Sequence, residues 1–435
     1  MKKFAFIGAG SVVFTRNVVK DLLTFEAFKD AEICLMDLNE YRLKKITECV
    51  KRIAYGFNLK TVKITPTLSR ETALKNADAV IITVFNGDID ILRYDIEIPM
   101  KYGVDINVGD TRSVSGIFRS LRNIPLMLDI LADVKKYSKE GAVVLNYTNP
   151  MSILCKAMQT LSSVDVTGLC HSVQGTAAML AEWLGVDKNT LDYECVGLNH
   201  QAFFTKLESN GKDLYPALRE KIKDPEFYNK ELVRNELFKT FGYYVTESSG
   251  HNSEYCAWFR KRPDLIEKYC THGTNWNPGV HAFSLNLRKD PDRFENELKK
   301  WYLEPLDLTR GNEYAAFILN ARLGDGTPFK FNANLINDGS VENLPYDACV
   351  EIPVVATKTG YERKFKGKMP LAPSVLCSLT AGVENLTFEG FKNKDRNAII
   401  EAVSLDPLCS AVLSLEEVRK MCGELFEINK DYIGW

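Results

Sequence analysis

Phe4-Ala5-Phe6-Ile7-Gly8-Ala9-Gly10-Ser11 runs from four apolar residues into a Gly-x-Gly turn. Basic Lys2 and Lys3 precede the apolar run and Thr15-Arg16-Asn17 follow soon after it, so the run is too short for a signal-peptide core and reads as a first β-strand. Gly8 and Gly10 allow the backbone to turn tightly beneath a pyrophosphate, whose charge the amides of a following helix can meet. Val13 stands where a third glycine of G-x-G-x-x-G would be. Asp37 ends a second apolar run, Ala31 to Asp37, where a carboxylate can accept hydrogen bonds from a ribose diol and repel a 2′-phosphate. Together these features favour NAD over NADP; the alternative is a plain tight turn and a solvent-facing aspartate.

Outward from this point the pattern repeats. Leu43 to Phe57 has a helical pattern, Thr61 to Thr65 a short strand, and Ala79 to Val84 and Ala142 to Tyr147 are continuous apolar strands. The expected fold is α/β, a doubly wound parallel, Rossmann-like sheet over residues 1–190. Beyond about residue 190 come longer polar helices such as Glu226 to Phe238, and stretches such as Thr271-His272-Gly273-Thr274. Strand and turn return near Phe331 to Ala356, with a turn at Asp338-Gly339 and a strand at Val350 to Val355. A C-terminal α+β catalytic domain is therefore expected over residues 191–435, with the active cleft between the halves.

A chain of 435 residues, 45% hydrophobic and 26% charged, fits a soluble protein of two or three domains. Lys and Arg total 55 against 57 Asp and Glu, with no basic stripe, so nucleic acid and anionic membrane are poor partners. No apolar run approaches the roughly 20 residues that span a bilayer. Eleven cysteines lie scattered without a CxxC pair, which argues against a disulfide framework and a ribbon-type zinc site. A cytoplasmic protein is expected.

Cys170-His171-Ser172-Val173 and Asn199-His200 carry the remaining chemistry. A dinucleotide site followed by a thiol and an imidazole fits a nicotinamide and a divalent metal acting on one substrate. Cys170 and His200 are too far apart for a local metal loop, so tertiary structure must join them. Taken singly, they read first as a buried thiol and a hydrogen-bonded histidine.

The surrounding stretches resemble glycoside hydrolase family 4, the NAD- and manganese-dependent glycosidases. They are Phe6 to Ser11, Gly109-Asp110-Thr111 with Gly116-Ile117-Phe118-Arg119, Asn146 to Met151, Gly168 to Val173, Gly197 to His200, Asn343-Leu344-Pro345 and Val350-Glu351-Ile352-Pro353. The resemblance covers nearly the whole chain. It implies a divalent metal, commonly Mn2+, on Cys170 and His200, and places Asn149 near the substrate and the metal. Asp110, Arg119 and Asn199 join Asn149 as substrate contacts, and Gly8, Gly10, Ser11, Asp37 and Asn86 are assigned to NAD. The Cys-His-Ser-Val form resembles the α-galactosidase (melibiase) branch, whereas phospho-glycosidases carry an aspartate or asparagine where His171 stands. Phe241 to Asn252 lies where other branches place a catalytic tyrosine or aspartate, which makes Glu247, Ser248 and His251 candidates.

The route implied by the resemblance begins with hydride transfer from the sugar's C3 to NAD+. The C2 proton is then removed, the C1 aglycone is eliminated, water adds, and NADH restores the C3 alcohol. His171, adjacent to Cys170, is a candidate for assisting aglycone departure, or equally for orienting a ligand. An unphosphorylated α-galactoside is the expected substrate, and the resemblance also implies a homodimer or homotetramer. The alternatives are α-glucosidase, α-galacturonidase or α-glucuronidase activity, an NAD-dependent sugar or hydroxy-acid dehydrogenase, and an NAD-sensing protein that would need neither Cys170 nor His200.

Overall fold

The computed structural model describes residues 1–271 and 281–435. Six strands, β1 Lys3–Ile7, β2 Glu32–Met36, β3 Lys63–Thr67, β4 Ala79–Ile82, β5 Val143–Asn146 and β6 Val166–Gly168, form a parallel sheet in the order β3-β2-β1-β4-β5-β6. This is the strand order of a dinucleotide-binding sheet, and the reversal between β1 and β4 opens a crevice at the strand C-termini. The third strand begins two residues later than its apolar pattern places it and, as an edge strand, accommodates Pro66.

Helices α1 Val12–Leu23, α2 Glu40–Gly56, α3 Arg70–Leu74, α4 Ile89–Lys101, α5 Ser113–Tyr137, α6 Met151–Leu161 and α7 Ser172–Leu184 fall between or after these strands. Strand alternation decides which side each residue serves. Phe4 and Phe6 pack with Val18, Leu22, Ile46 and Val50 of α1 and α2. Ala5 and Ile7 face the other way, against Ile124, Met127, Leu131 and Leu154 of α5 and α6.

The sheet continues into the second half of the chain. Strands β7 Leu191–Leu198, β8 Gln201–Ser209, β9 Lys212–Asp213, β10 Phe329–Ile336, β11 Cys349–Thr357 and β12 Gly360–Arg363 extend it by antiparallel pairing, in the path β6-β10-β11-β7-β8-β9 with β12 beside β11. The helix Leu415–Ile433 then returns to α4 and α5, where Leu425 and Phe426 meet Leu92, Phe118 and Leu121. Beneath them Arg122 and Asp95, both fully buried, form an ion pair, and Arg122 Nη1 also donates to Asn429 Oδ1 at 2.7 Å.

The single helix expected over Glu226 to Phe238 is two helices, Pro225–Lys230 and Leu232–Phe241. Glu231 leaves the helical conformation, with φ −143° and ψ 57°. Its buried carboxylate accepts hydrogen bonds from Ser249 N at 2.9 Å and Ser249 Oγ at 2.7 Å. The break therefore anchors the segment that carries Glu247, Ser248 and His251. Of Thr271-His272-Gly273-Thr274, the last three lie outside the described residues. Among the described residues no helix is long and apolar enough to cross a membrane.

Candidate active site

Two groups of side chains meet at the C-terminal ends of the parallel strands. At the end of β1, Gly8 has φ +85°, and a Cβ there would lie 2.5 Å from the Thr83 carbonyl oxygen. Only glycine fits this turn. Gly10 N donates to Asp37 Oδ2 at 2.7 Å, and Asn39 N donates to Asp37 Oδ1 at 2.8 Å. Ser11 caps α1 without a side-chain hydrogen bond, so the helix N-terminus keeps amide donors for an anion. Asn86 lies just beyond β4; its Nδ2 donates to the Arg122 carbonyl at 2.7 Å, and its amide reaches Asn123 Oδ1 at 3.3 Å.

The second group starts from a hairpin. β7 and β8 pair Leu198 with Gln201, leaving Asn199 and His200 as a two-residue turn with His200 at φ +62°. His200 is thereby held at the tip in a left-handed conformation that a non-glycine residue rarely adopts. Thr111 Oγ1 and Tyr255 Oη lie 3.1 and 3.3 Å from His200 Nδ1. Its Nε2 faces Cys170 Sγ at 3.2 Å and Glu247 Oε2 at 3.4 Å. Cys170 follows β6 directly and precedes α7, and it is the one cysteine of the eleven that is not fully buried.

From Glu247, at φ +68°, a chain of contacts runs toward the crevice. Glu247 Oε1 lies 3.2 Å from His251 Nδ1, and His251 Nε2 lies 3.4 Å from Asp110 Oδ1. Asp110 Oδ2 in turn accepts from Asn149 Nδ2 at 3.3 Å. Ser248 Oγ sits 2.9 Å from His251 Nδ1. Arg119 Nε donates to the Asn149 carbonyl at 3.3 Å, and Asn123 links that same carbonyl to Asn86. Asp110, Asn149, Cys170, His200, Glu247, Ser248 and His251 are thus one contiguous cluster, bordered by Arg119.

Two predicted residues stand apart from it. His171 turns toward Glu313, with Nε2 2.8 Å from Glu313 Oε2, and stacks on Tyr147 at 5.8 Å between ring centroids. Phe14 of α1 touches the same imidazole at 5.8 Å, so the dinucleotide-side helix and the Cys170 loop are neighbours. Asn199 is fully buried beneath the hairpin tip, beside Glu351.

Charge is finely divided in the cluster. Burial keeps the His200 imidazole below its ordinary value, so it is neutral near pH 7. Burial also raises the Glu247 carboxyl, but His251 and His200 outweigh it and settle it at about 2. His251 is held well above the usual imidazole range: burial opposes its charge, and Glu247 and Asp110 overcome that opposition. The Cys170 thiol is pushed up by burial and by the charges of Glu351 and Glu247, so it keeps its proton until a cation displaces it.

A neutral imidazole, an ionised carboxylate and a displaceable thiol proton form a donor set suited to a borderline divalent metal. With metal–ligand bonds of about 2.0 to 2.3 Å, adjacent donor atoms fall roughly 3.0 to 3.6 Å apart. The observed separations of 3.2 and 3.4 Å lie in that range.

Several supporting residues escape sequence reasoning. Fully buried Glu254 accepts from Asn107 N, Val108 N and Gly109 N at 2.8 to 2.9 Å, which fixes the loop leading to Asp110. Thr111 and Tyr255 set the His200 ring, and Glu313 holds His171. Only proximity to the quoted motifs marks Thr111 and Glu254; nothing local marks Glu313.

Fold and site together define a doubly wound α/β protein with a glycine turn and a thiol–imidazole–carboxylate cluster at the C-terminal ends of its parallel strands. Residues 3–186 match the model of the family 4 glycosyl hydrolases, and residues 195–409 match that of their C-terminal domain. The chain belongs to the family 4 glycosyl hydrolases. It is 37% identical to an α-galactosidase of Rhizobium meliloti over 97% of this chain and 87% of that one. An α-galactosidase of Bacillus subtilis is 34% identical, covering 100% of this chain and 99% of its own. The 6-phospho-β-glucosidase of Thermotoga maritima, solved with manganese, NAD+ and glucose-6-phosphate, superposes with a TM-score of 0.79 at 22% identity, over 99% of each chain.

Proposed function

We propose that this chain hydrolyses unphosphorylated α-galactosides such as melibiose, using NAD+ and a divalent metal, commonly Mn2+. The observation that carries the reading is the Cys170–His200 pair, whose neighbour His171 meets Phe14 of the helix that follows the glycine turn, in a chain similar over its full length to two α-galactosidases. When bound, the nicotinamide would supply a hydride acceptor and the metal would supply Lewis acidity to the sugar hydroxyls. Cys170 and His200 hold the metal; Gly8, Gly10, the α1 N-terminus at Ser11, Asp37 and Asn86 hold the dinucleotide.

The sugar is oriented by Asn149 and Arg119, whose Oδ1 and Nη1 are buried with no hydrogen-bond partner among the described residues. An acceptor and a donor therefore await hydroxyl groups. Removal of the C2 proton falls to the Asp110–His251–Glu247 chain, which leads from the buried cluster to a part-exposed carboxylate. Ser248 serves this chain by capping the turn that presents His251. His171, fixed by Glu313, faces the departing aglycone.

A cytoplasmic homodimer or homotetramer completes the reading. Eleven cysteines without a disulfide support a reducing compartment. Leu371, Val375 and Leu379, exposed at four-residue spacing along the helix Leu371–Asn393, support an interface between copies.

One observation favours a second reading, an α-galacturonide. Arg119 and Arg288 each stack on Phe85 at 5.0 Å, and Asp110 acts on both charges, so two cations flank the sugar side of the cluster. A panel of nitrophenyl glycosides with NAD+, Mn2+ and a thiol reductant decides. The α-galactoside is expected to be the best substrate and α-glucosides much poorer; a preferred 6-phosphoglycoside or galacturonide overturns the assignment.

Asp37→Ala is expected to weaken NAD+ binding by about 1–3 kcal/mol, the worth of charge-assisted hydrogen bonds to the ribose. Relative tolerance of NADP+ should increase with the repelling charge gone. Unchanged NAD+ affinity in a titration would reduce Asp37 to a brace for Gly10.

A further inference from the structure

Three lone-pair donors converge in the buried cluster. With Nδ1 of His200 serving Thr111 and Tyr255, the ring's metal-ready tautomer carries its proton on Nδ1 and leaves Nε2 bare. That bare nitrogen faces Cys170 Sγ at 3.2 Å and Glu247 Oε2 at 3.4 Å. The other oxygen of Glu247 is already occupied: Ser248 N donates to Oε1 at 3.1 Å, and His251 Nδ1 lies 3.2 Å from it. Oε2 is therefore the oxygen turned toward the thiol and the imidazole.

We propose that Glu247 is a third protein ligand of the metal, its Oε2 completing the set with Cys170 Sγ and His200 Nε2, and that His251 is the positioning residue that holds it. This rests on the reading of Cys170 and His200 as metal ligands. The left-handed backbone at both His200 and Glu247, φ +62° and +68°, fits this role, because strain at two facing residues persists only where the surroundings impose it. Ligating carboxylates are commonly steadied by a hydrogen bond to their second oxygen, the place His251 and Ser248 fill here.

Asp110, His200 and His251 also cluster closely enough for a metal. That set is the poorer one, because it leaves out Cys170, and the Nε2 of His200 faces Cys170 and Glu247. Three protein ligands would leave the metal free to take substrate hydroxyls and water as well. Glu247 is then spoken for, and Asp110 with His251 is left to move the C2 proton.

Metal binding tests this directly, with Mn2+ titrated into the metal-free full-length enzyme by calorimetry and Co2+ binding followed by absorption. Loss of an outer partner costs about 10–100-fold in metal affinity, so Glu247→Gln, which removes a ligand, is expected to weaken Mn2+ binding by ~100-fold or more. Its Co2+ complex should keep the thiolate charge-transfer band while the ligand-field bands change. Glu247→Asp, which keeps the charge on a shorter arm, should fall between wild type and Glu247→Gln, so the series remains informative if the glutamine variant folds poorly. Wild-type Mn2+ affinity and unchanged ligand-field bands in Glu247→Gln, with the charge-transfer band lost only in Cys170→Ser, overturn the third ligand and leave the Cys170–His200 pair standing. If Cys170→Ser also binds Mn2+ normally and wild type shows no thiolate band, the underlying metal reading fails instead.

Discussion

Cys170→Ser is expected to abolish turnover and metal binding while leaving the fold and NAD+ binding in place. A serine hydroxyl stays protonated where a thiol can give up its proton to a borderline metal, so the substitution removes a ligand and not merely a contact. Lewis-acid stabilisation is worth several kcal/mol, and each 1.4 kcal/mol is tenfold in rate, so the loss should reach ~10³-fold or more. The fold is spared because Cys170 lies in the loop between β6 and α7, outside the strand–turn segment of Gly8 and Gly10. The same chemistry sets a pH dependence in the wild type. Burial and the charges of Glu351 and Glu247 keep the thiol protonated in the metal-free protein, whereas His200 is neutral and Glu247 ionised near pH 7. Metal uptake then releases one proton, and affinity should rise about tenfold per pH unit below the thiol's raised pKa. Calorimetry in buffers of different ionisation heat measures that proton; turnover by the serine variant at the wild-type rate would remove Cys170 from the site.

Asp95→Ala should cost about 3–5 kcal/mol of stability, the penalty for leaving a buried charge without its partner. Arg122 and Asp95 are both fully buried, and Arg122 Nη1 reaches Asp95 Oδ1 at 2.9 Å and Asn429 Oδ1 at 2.7 Å. Removing the carboxylate strands the guanidinium where α4, α5 and the last long helix meet, and water cannot enter without opening that packing. The effect should extend to the site, since α5 begins just after Asp110 and carries Arg119. Denaturant unfolding of the metal-free protein gives the number. A loss below 1 kcal/mol would mean that the helices stay together through the apolar contacts around Phe118 and Phe426 alone.

The legible part of the fold was local or periodic. Phe4 to Ser11 announces the first strand and its turn because alternation and glycine chemistry act within a few residues, and Gly8 is glycine for the reason the turn requires. The antiparallel continuation of the sheet was not legible, because β10 joins β6, and β11 joins β7, across more than a hundred residues and no local signal records either pairing. The break at Glu231 was hidden likewise: its cause, a hydrogen bond to Ser249, lies in another segment. Motif words brought Cys170, His200 and Asp110 into view, and the structure joins them with Glu247, Ser248 and His251. Glu254 and Glu313 were invisible, because each acts by holding a distant loop or ring, a task any buried carboxylate could serve.

Hydrolysis of an α-galactoside in D₂O separates the redox-elimination route from every glycosidase that works with a carboxylate pair. Once C3 is oxidised the C2 proton is removed by a side chain, and the part-exposed Asp110, paired with His251, offers it a path of exchange with solvent. Galactose released in D₂O should therefore carry deuterium at C2, while the C3 hydrogen returns from NADH undiluted. Substrate deuterated at C2 or C3 should react more slowly only where that step limits the rate, so incorporation is the cleaner observable. NMR of the product after complete hydrolysis gives the answer: deuterium at C2 is the expected result, and a fully protiated C2, with base and solvent shown to exchange quickly, contradicts the elimination route even in an enzyme that binds NAD+ and metal.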